Sequence, residues 1–313
     1  MKTTSLPGQA GNSRLNLFLA LSRTPHLLLD LATPGLAALL CLGAFPSATV
    51  IVLGLITAFS GYTAVYALND IIDYHVDKEL IYSSTAHESK PDLDSVLVRH
   101  PLAHGMLSYK EALFWTSAWA VLALAGAFFL NPICLVIFLG AAVFEVIYCY
   151  LLKITHLRSI ISGIVKTSGP IAAVFAVSRQ PSMPFLIALF LWLFFWEIGG
   201  QNVPNDLSDL DVDQQIKART IPVRFGATGS ILIICSSLAI AVAMSMAMFW
   251  IVPNRISPVY LPGAMFSGLY FLLLPAYHLY KTRGAGEASR LFNRCSYYPL
   301  SMLLITVLSL VVI

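Results

Sequence analysis

The residues of this chain best suited to chemistry lie in two acidic segments that share one pattern. Both read Asn-Asp-x-x-Asp-x-x-x-Asp, the first from Asn69 to Asp77 and the second from Asn205 to Asp213. On a helix, residues three, four and seven apart lie on one face, so the three carboxylates of each segment point together. Crowded carboxylates repel one another unless a cation lies between them, and hard oxygen ligands at this density favour Mg²⁺. The predicted metal ligands are Asn69, Asp70, Asp73, Asp77, Asn205, Asp206, Asp209 and Asp213.

A magnesium site of this kind implies a phosphorylated ligand. Mg²⁺ usually keeps several waters and completes its shell with substrate phosphates, so two facing motifs would hold a diphosphate between them. The alternative for one motif alone is a solvated acidic helix end, but such a face gives no reason to repeat the asparagine and the same spacings. Nearby basic side chains are candidate diphosphate ligands, and their alternative explanation is the general excess of positive charge in cytoplasmic loops. These candidates are Lys78, Lys153, Lys217 and Arg219.

The elements that must position the motifs are membrane-spanning helices. Of the 313 residues, 58% are hydrophobic and only 11% are charged, which is too apolar for a protein surrounded by water. Lipid-exposed backbone must satisfy its own hydrogen bonds, and the apolar runs are too long for barrel strands, so we predict an all-α membrane protein. The runs predict about nine transmembrane helices, at 25–44, 47–68, 109–130, 132–152, 157–178, 184–204, 229–252, 257–280 and 293–313.

The distribution of lysine and arginine orients this predicted bundle. If the helices alternate across the membrane, 16 basic residues fall on one side and only Arg179 and Arg255 on the other. This asymmetry predicts that the N-terminus and both acidic motifs are cytoplasmic and that the C-terminus lies on the opposite face. Because the basic residues are spread over several loops, they do not indicate nucleic-acid binding.

The duplicated motif also predicts how the chain is organised. Each copy ends an even-numbered helix, which indicates two four-helix repeats plus one further helix. We predict a mobile cytoplasmic N-terminal tail at 1–22 and a single transmembrane domain at 23–313. Equivalent loops of parallel repeats lie on the same face. The long loops at about 70–108 and 205–228 are therefore predicted to form a cytoplasmic cap over one central cavity.

These motifs resemble those of the UbiA superfamily of intramembrane prenyltransferases. The first motif matches the family pattern, and the second is similar to it together with its Thr220–Gly226 tail. The segment Arg99–Ser108 is similar to the one that starts the third helix in the family. The segment Lys153–Leu157 resembles the basic Thr-His-Leu stretch between helices four and five. The likeness covers nearly the whole chain.

Four local features depart from the family pattern. Lys217 stands where the family usually has glycine, and His100 is an extra residue before the proline that starts the third helix. A polar stretch at 82–95 lengthens the loop after the first motif. The tyrosine expected near the end of helix four falls at Cys149. These departures are expected to affect the acceptor side of the reaction more than the diphosphate side.

The resemblance implies Mg²⁺-dependent transfer of a prenyl group from a polyprenyl diphosphate to a lipophilic acceptor. The acceptor in this family is usually aromatic, as in the biosynthesis of quinones and related lipids. Four aspartates are expected to be catalytic, since the metal ions they hold promote ionisation of the donor to an allylic cation. They are Asp73, Asp77, Asp209 and Asp213. The prenyl tail is expected to lie among helices and membrane lipid, and a porphyrin or a glycerol or sugar lipid is the alternative acceptor.

Ionisable residues within the predicted helices are further functional candidates. Glu197 lies about two turns before the second motif, where it can face the cavity beneath that motif. The alternative is pairing inside the bundle, for instance of Lys166 with Glu145 or with Glu197. The predicted acceptor or cavity residues are Glu197, Asn202, Tyr148 and Tyr150.

A function of a different class is also compatible with two acidic loops. A membrane transporter could bind a divalent cation with these loops at its cytoplasmic mouth. The acids, however, lie at helix ends, and no matching acidic path continues through the other helices. The sequence therefore favours the enzyme, with the transporter as its alternative.

Overall fold

The described part of the chain is built from helices and short connections. The computed structural model describes residues 13–83 and 93–312, and these residues form no strand. The predicted all-α fold is therefore confirmed. In chain order the helices are α1 (Arg14–Leu21), α2 (Thr24–Leu42), α3 (Ala48–Ile72), α4 (Tyr74–Ser83), α5 (Tyr109–Leu130), α6 (Pro132–Lys153), α7 (Arg158–Val177), α8 (Met183–Ser208), α9 (Leu210–Gln215), α10 (Ile221–Ile251), α11 (260–282) and α12 (Ala285–Val311), with a 3₁₀ turn at Leu93–Val96.

Eight of these helices are long and apolar enough to cross a membrane: α2, α3, α5, α6, α7, α8, α10 and α12. The predicted count of nine is therefore not confirmed. The run predicted at 257–280 does form α11, which continues through a π-helical segment at Gly268–Leu273, but α11 is not among the eight. Its two prolines, its tyrosines and His278 make it less apolar than the others.

The prediction of a mobile tail through residue 22 needs correction. Residues 1–12 lie outside the described ranges, but the rest of the segment contains the helix α1. Leu17 and Leu21 on this helix are buried in a small apolar cluster with Leu107 and Ala112. Burial of these leucines holds α1 against α3 and α5, because returning them to water would cost free energy.

Each acidic motif lies across a joint between two helices, not on one continuous helix as predicted. Asp73 separates α3 from α4, and Asp209 separates α8 from α9. Both joints have the same hydrogen bonds. The amide of the central aspartate donates to the carbonyl of the motif's asparagine, at 2.9 and 3.1 Å, and the amide of the last aspartate donates to the carbonyl of the central one, at 2.8 and 2.9 Å. Aspartate favours such positions because its short carboxylate competes with the helical backbone for hydrogen bonds.

From α2 to α10 each spanning helix contacts the next one, and α11 lies between α10 and α12. Contacts of α2 with α7 and with α12 close the bundle. The largest apolar core lies where α8, α10 and α12 meet, and there the indole of Trp192 donates a hydrogen bond of 3.1 Å to the hydroxyl of Tyr298. The helices of the first half of the chain are less tightly packed at the centre of the bundle. The cavity that both motifs line lies among them.

Helix α8 carries an irregular segment just before the second motif. Residues Glu197–Asn202 form a π-helical turn, a feature that often lies at functional sites. Two glycines in this turn allow α8 to approach its neighbours closely. A Cβ atom added at Gly199 would lie 2.9 Å from the carbonyl oxygen of Ile234 on α10, and one at Gly200 would lie 2.9 Å from Cys295 on α12. The packing thereby sets the direction in which Glu197 points.

Candidate active site

Both acidic motifs open onto one cavity of about 390 Å³ inside the bundle. Its polar end is lined by Asn69, Asp73, Asp77, Asn205, Asp206, Asp209 and Asp213. Its other end is lined by small or apolar residues, including Gly54, Ala127, Cys134 and Ala176. Gly54 precedes Asn69 by 15 residues on α3, which corresponds to ~22 Å along the helix axis. The cavity therefore joins a concentrated set of carboxylates to a long apolar pocket.

Asp70 is the motif residue that does not line this cavity. Its carboxylate instead lies 3.5 Å from the guanidinium of Arg23 and 3.4 Å from Nδ1 of His100. The same Nδ1 lies 2.9 Å from Asp77, so His100 bridges the first and last aspartates of the motif. The three side chains could also share a cation, because their ligand atoms lie within 4.8 Å of one another. His100 thus has a position that the sequence pattern did not reveal.

The environment of the loop carboxylates perturbs their titration. Burial raises the pKa of Asp73 to about 6, and the negative charge of Asp77 adds to this effect. Burial likewise raises the pKa of Asp213 to about 6, where Asp209 adds to the effect and a hydrogen bond from Thr220 opposes it. Burial and, to a smaller extent, repulsion from the neighbouring aspartate therefore disfavour the ionised form of both side chains. A bound cation would relieve that repulsion.

His100 is perturbed in the opposite direction. Burial alone would lower the pKa of its imidazole, but its contacts with Asp70 and Asp77 outweigh burial and raise the pKa to about 9. Its backbone has φ of 50°, in the left-handed region that non-glycine residues seldom adopt. The loop before α5 is therefore held onto the first motif through an ion pair made by a strained residue.

The basic residues predicted to bind diphosphate do not line the cavity. Lys153 donates a hydrogen bond of 2.7 Å to Glu79, and the side chain of Arg219 donates one of 3.1 Å to the carbonyl of Ile154. The ammonium of Lys78 donates to the hydroxyl of Tyr74 at 3.2 Å. None of the four predicted cations lines the cavity, namely Lys78, Lys153, Lys217 and Arg219.

Three arginines line the cavity instead: Arg23, Arg99 and Arg158. The Arg158 side chain is buried, and its guanidinium lies 4.1 Å from the ring centre of Tyr148 and 4.0 Å from Asp206. Among the described residues, neither Nε of Arg158 nor Oδ2 of Asp206 has a hydrogen-bond partner. Arg158 was not predicted as a diphosphate ligand, because it was treated only as one of the basic residues of the cytoplasmic loops. Its place at the first turn of α7, directly after the Thr-His-Leu segment, was the available signal.

The remaining predicted cavity residues are divided between the inside and the outside of the bundle. Tyr148 lines the cavity and accepts a hydrogen bond of 3.1 Å from Asn202, whereas Tyr150 is exposed on the far side of α6. Glu145 lines the cavity and accepts a hydrogen bond of 2.9 Å from Asn69. Asn69 in turn accepts one of 3.2 Å from Arg23. The first motif is therefore tied to α6 and to the residue that precedes α2.

A second polar group lies deeper in the cavity. Lys166 on α7 donates 2.6 Å to Asp30 and 3.1 Å to the hydroxyl of Tyr66, which also donates to Asp30. The predicted pairing of Lys166 with Glu145 or Glu197 is thus not the one observed, because Asp30 on α2 faces the lysine directly. Glu197 accepts a hydrogen bond of 2.7 Å from Ser162.

The donor set at the polar end fits a hard divalent cation. It offers carboxylate oxygens from both motifs, and one of them, Oδ2 of Asp206, is buried with no hydrogen-bond partner in the described ranges. Oxygen ligands of this kind, with room for phosphate oxygens, are what Mg²⁺ prefers. The three arginines at the same end supply donors for an anion.

A comparison with models of known families gives a match over residues 31–297, to the UbiA prenyltransferase family. The chain belongs to this family. The protein is therefore a prenyltransferase, and as a member of the UbiA family with several apolar spans it is an integral membrane protein. No match was found among curated protein sequences.

Solved UbiA structures have the same fold. A UbiA homologue from Aeropyrum pernix K1 superposes with a TM-score of 0.69 at 19% identity, over 90% of this chain and 97% of that one. A homologue from Archaeoglobus fulgidus bound to GPP and Mg²⁺ gives 0.65 at 21% identity, over 92% and 99%. A structure from work on digeranylgeranylglyceryl phosphate synthase gives 0.68 at 18% identity, over 96% and 99%.

Proposed function

We propose that this UbiA prenyltransferase uses Mg²⁺ to transfer the prenyl group of a polyprenyl diphosphate to a lipophilic aromatic acceptor. The observation that carries the proposal is the single cavity that joins both acidic motifs to a long apolar pocket. A diphosphate head and a prenyl tail require just this combination. The Archaeoglobus fulgidus homologue that binds GPP and Mg²⁺ with the same fold supports it.

In this proposal the motif residues that line the cavity hold the metal ions, and Asp73, Asp77, Asp209 and Asp213 are the central ligands. When bound, Mg²⁺ supplies positive charge that offsets the charge developing on the departing diphosphate. Arg158, with Arg23 beside the first motif, donates hydrogen bonds to phosphate oxygens. Arg158 and Arg23 thereby take the role that the sequence assigned to four other cations.

The residues below the motifs protect the reaction from water. As the allylic C–O bond breaks, its electron pair leaves with the diphosphate and the prenyl group becomes an allylic cation. Small and apolar side chains around the tail exclude water that would quench this cation. An electron-rich carbon of the acceptor then attacks the cation, and the acceptor loses a proton. We also propose that the motifs and the N-terminus face the cytoplasm, as the basic residues predict.

The test is to incubate the purified protein with Mg²⁺, labelled geranyl, farnesyl or geranylgeranyl diphosphate and a panel of acceptors. Release of diphosphate together with a prenylated acceptor, identified by mass, is the expected result. The same protein reconstituted in vesicles should carry no flux of divalent cations. Flux without any turnover would instead support the transporter alternative.

A further inference from the structure

The outer surface of the bundle carries basic side chains and aromatic rings where α11 and α12 lie side by side. On each helix these residues follow one another at helical spacing, so they share one face. All of them are exposed. We call this set the basic–aromatic patch. Its members are Tyr270, Tyr277 and Lys281 on α11 and Arg290, Arg294 and Tyr297 on α12.

The two helices contribute to one continuous patch. The guanidinium of Arg294 on α12 lies 5.0 Å from the ring centre of Tyr270 on α11. One residue further along each helix, Sγ of Cys295 donates a hydrogen bond of 3.5 Å to the carbonyl of Phe271. Arg294 and Tyr270 therefore lie at the same level of the bundle. Nearer the end of α11, the ammonium of Lys281 lies 4.7 Å from the ring centre of Tyr277.

The positive charge of the patch is not balanced by the protein. Residues 277–297 include four basic residues and one acid. That acid, Glu287, pairs with Arg290 at 2.5 Å. Within residues 13–83 and 93–312, no carboxylate forms a salt bridge with Lys281 or Arg294. The patch therefore presents two positive charges to its surroundings.

The depth of Arg294 is not explained by the general excess of positive charge in cytoplasmic loops. Arg294 lies within α12, nine residues after its start and 17 residues before its end at Val311. Seventeen residues span ~26 Å along a helix axis, and the hydrocarbon core of a bilayer is ~30 Å thick. Arg294 thus lies near one edge of the hydrocarbon core, on a face exposed to lipid. A charged side chain is costly there unless it reaches the headgroups.

That edge is on the side of the acidic motifs. The side chain of Gln201 on α8, shortly before the second motif, donates a hydrogen bond of 3.4 Å to the carbonyl of Phe292 on α12. Phe292 lines the cavity, whereas Arg294, two residues later, lies on the outer face of the same helix. The patch and the cavity are therefore separated by α12.

We propose that the basic–aromatic patch binds the phosphate of an anionic phospholipid in the leaflet next to the acidic motifs. Arg294 lies nearest the acyl chains, and Lys281 adds positive charge further out. The tyrosine rings suit the boundary between headgroups and acyl chains, and basic pockets between transmembrane helices bind anionic headgroups. The patch also accounts for part of the polarity of α11. This proposal goes beyond the proposed function and does not depend on prenyl transfer.

The test compares two phospholipids with the same acyl chains, dioleoyl phosphatidylglycerol and dioleoyl phosphatidylcholine. Each has one phosphate, but the choline group carries a positive charge that cancels it. Dissociation constants are measured on the purified protein in a neutral detergent, by native mass spectrometry during a titration with each lipid. The two cations should favour phosphatidylglycerol by about thirtyfold, which corresponds to about fivefold for each cation.

Variants of the patch should reduce this preference. Lys281→Gln and Arg294→Gln should each lower it by about fivefold, and the double variant should bring it close to one. Arg294→Lys keeps the charge and should keep most of the preference. All of these side chains are exposed, so the variants should elute as the unaltered protein does.

The matched control removes the same charge from the other end of the bundle. Arg179 and Arg255 are exposed and follow the ends of α7 and α10. The double variant Arg179→Gln with Arg255→Gln should leave the preference unchanged. Equal affinity for the two lipids in the unaltered protein would overturn the proposal. An equal loss in the control pair would overturn it as well.

Two other occupants of the patch would give different results. Inorganic phosphate in large excess should not displace phosphatidylglycerol, and displacement would instead indicate a site for soluble anions. A dimer in detergent that dissociates in Arg294→Gln would indicate a second copy of the chain. Either result would overturn the lipid assignment. The titration needs no turnover, so absence of prenyl transfer would refute the proposed function while the lipid comparison still decided the role of the patch.

Discussion

Replacing Arg158 should damage the enzyme far more than replacing Lys153, although the sequence pattern favours the lysine. Arg158 is buried at the polar end of the cavity, and its Nε has no hydrogen-bond partner in the described part of the chain. A hydrogen bond from a charged group of this kind contributes about 1.5–3 kcal/mol. Arg158→Gln should therefore lower kcat/KM for the prenyl diphosphate by about ten- to 150-fold.

Lys153 provides the matched comparison at the other end of the same loop. Its side chain is 42% exposed and pairs with Glu79, which is 50% exposed. Exposed pairs contribute only about 0–1 kcal/mol, so Lys153→Gln should stay within about fivefold of the unaltered enzyme.

The assay for both variants is diphosphate release over a range of donor concentrations, on protein that elutes as a single species in detergent. Arg158→Lys keeps the positive charge but lacks the planar guanidinium, so its kcat/KM should lie between the values of Arg158→Gln and Lys153→Gln. A large loss in Lys153→Gln with near-normal Arg158→Gln would refute the assignment. If Arg158→Gln does not fold, Arg158→Lys serves as the test of Arg158.

Three further predictions concern the motifs, the loop and the apolar pocket. Asp73→Asn or Asp209→Asn should abolish turnover without unfolding the protein, and full activity in either variant would contradict the two-motif site. The pKa of His100 is raised from 6.5 to about 9 by its two aspartates, so its ion pairs stabilise the fold fully below pH 6.5 and lose that effect as the pH rises through about 9. Thermal unfolding in EDTA should show this loss, and His100→Gln should remove it. Gly54→Leu should shift the donor preference towards shorter prenyl chains, measured by competition between labelled diphosphates. A Cβ at Gly54 meets no atom within 4 Å and projects from a cavity-lining residue, whereas Gly140→Leu, equally free of contacts but not lining the cavity, should have no effect.

Much of the fold could be predicted from the sequence because hydrophobic length alone specifies a membrane helix. The run at 109–130 coincides with α5, and the run at 157–178 differs from α7 by one residue at each end. The run predicted at 257–280 forms α11, which is not among the eight spans. Joints such as Asp73 were not predictable from helical periodicity, since the motif spacing also suits a continuous helix.

The sequence by itself predicted which acids line the cavity and what chemistry they favour. The pattern is duplicated, and oxygen ligands at this density favour a divalent cation. Seven of the eight motif residues predicted as metal ligands line the cavity. The eighth, Asp70, instead contacts Arg23 and His100.

The tertiary structure alone decided which basic side chains line the cavity and which buried carboxylates have hydrogen-bond partners. The side chain of a basic residue near a motif can point into the cavity or away from it. Lys153 hydrogen-bonds to Glu79, whereas Arg158 lines the cavity. Likewise, Lys166 was predicted to pair with Glu145 or Glu197, and it pairs with Asp30. These choices depend on contacts between helices that are distant in the chain. Local spacing carries no information about them, so only the packed bundle shows that Glu197 and Asp206 each have a buried oxygen without a hydrogen-bond partner among the described residues.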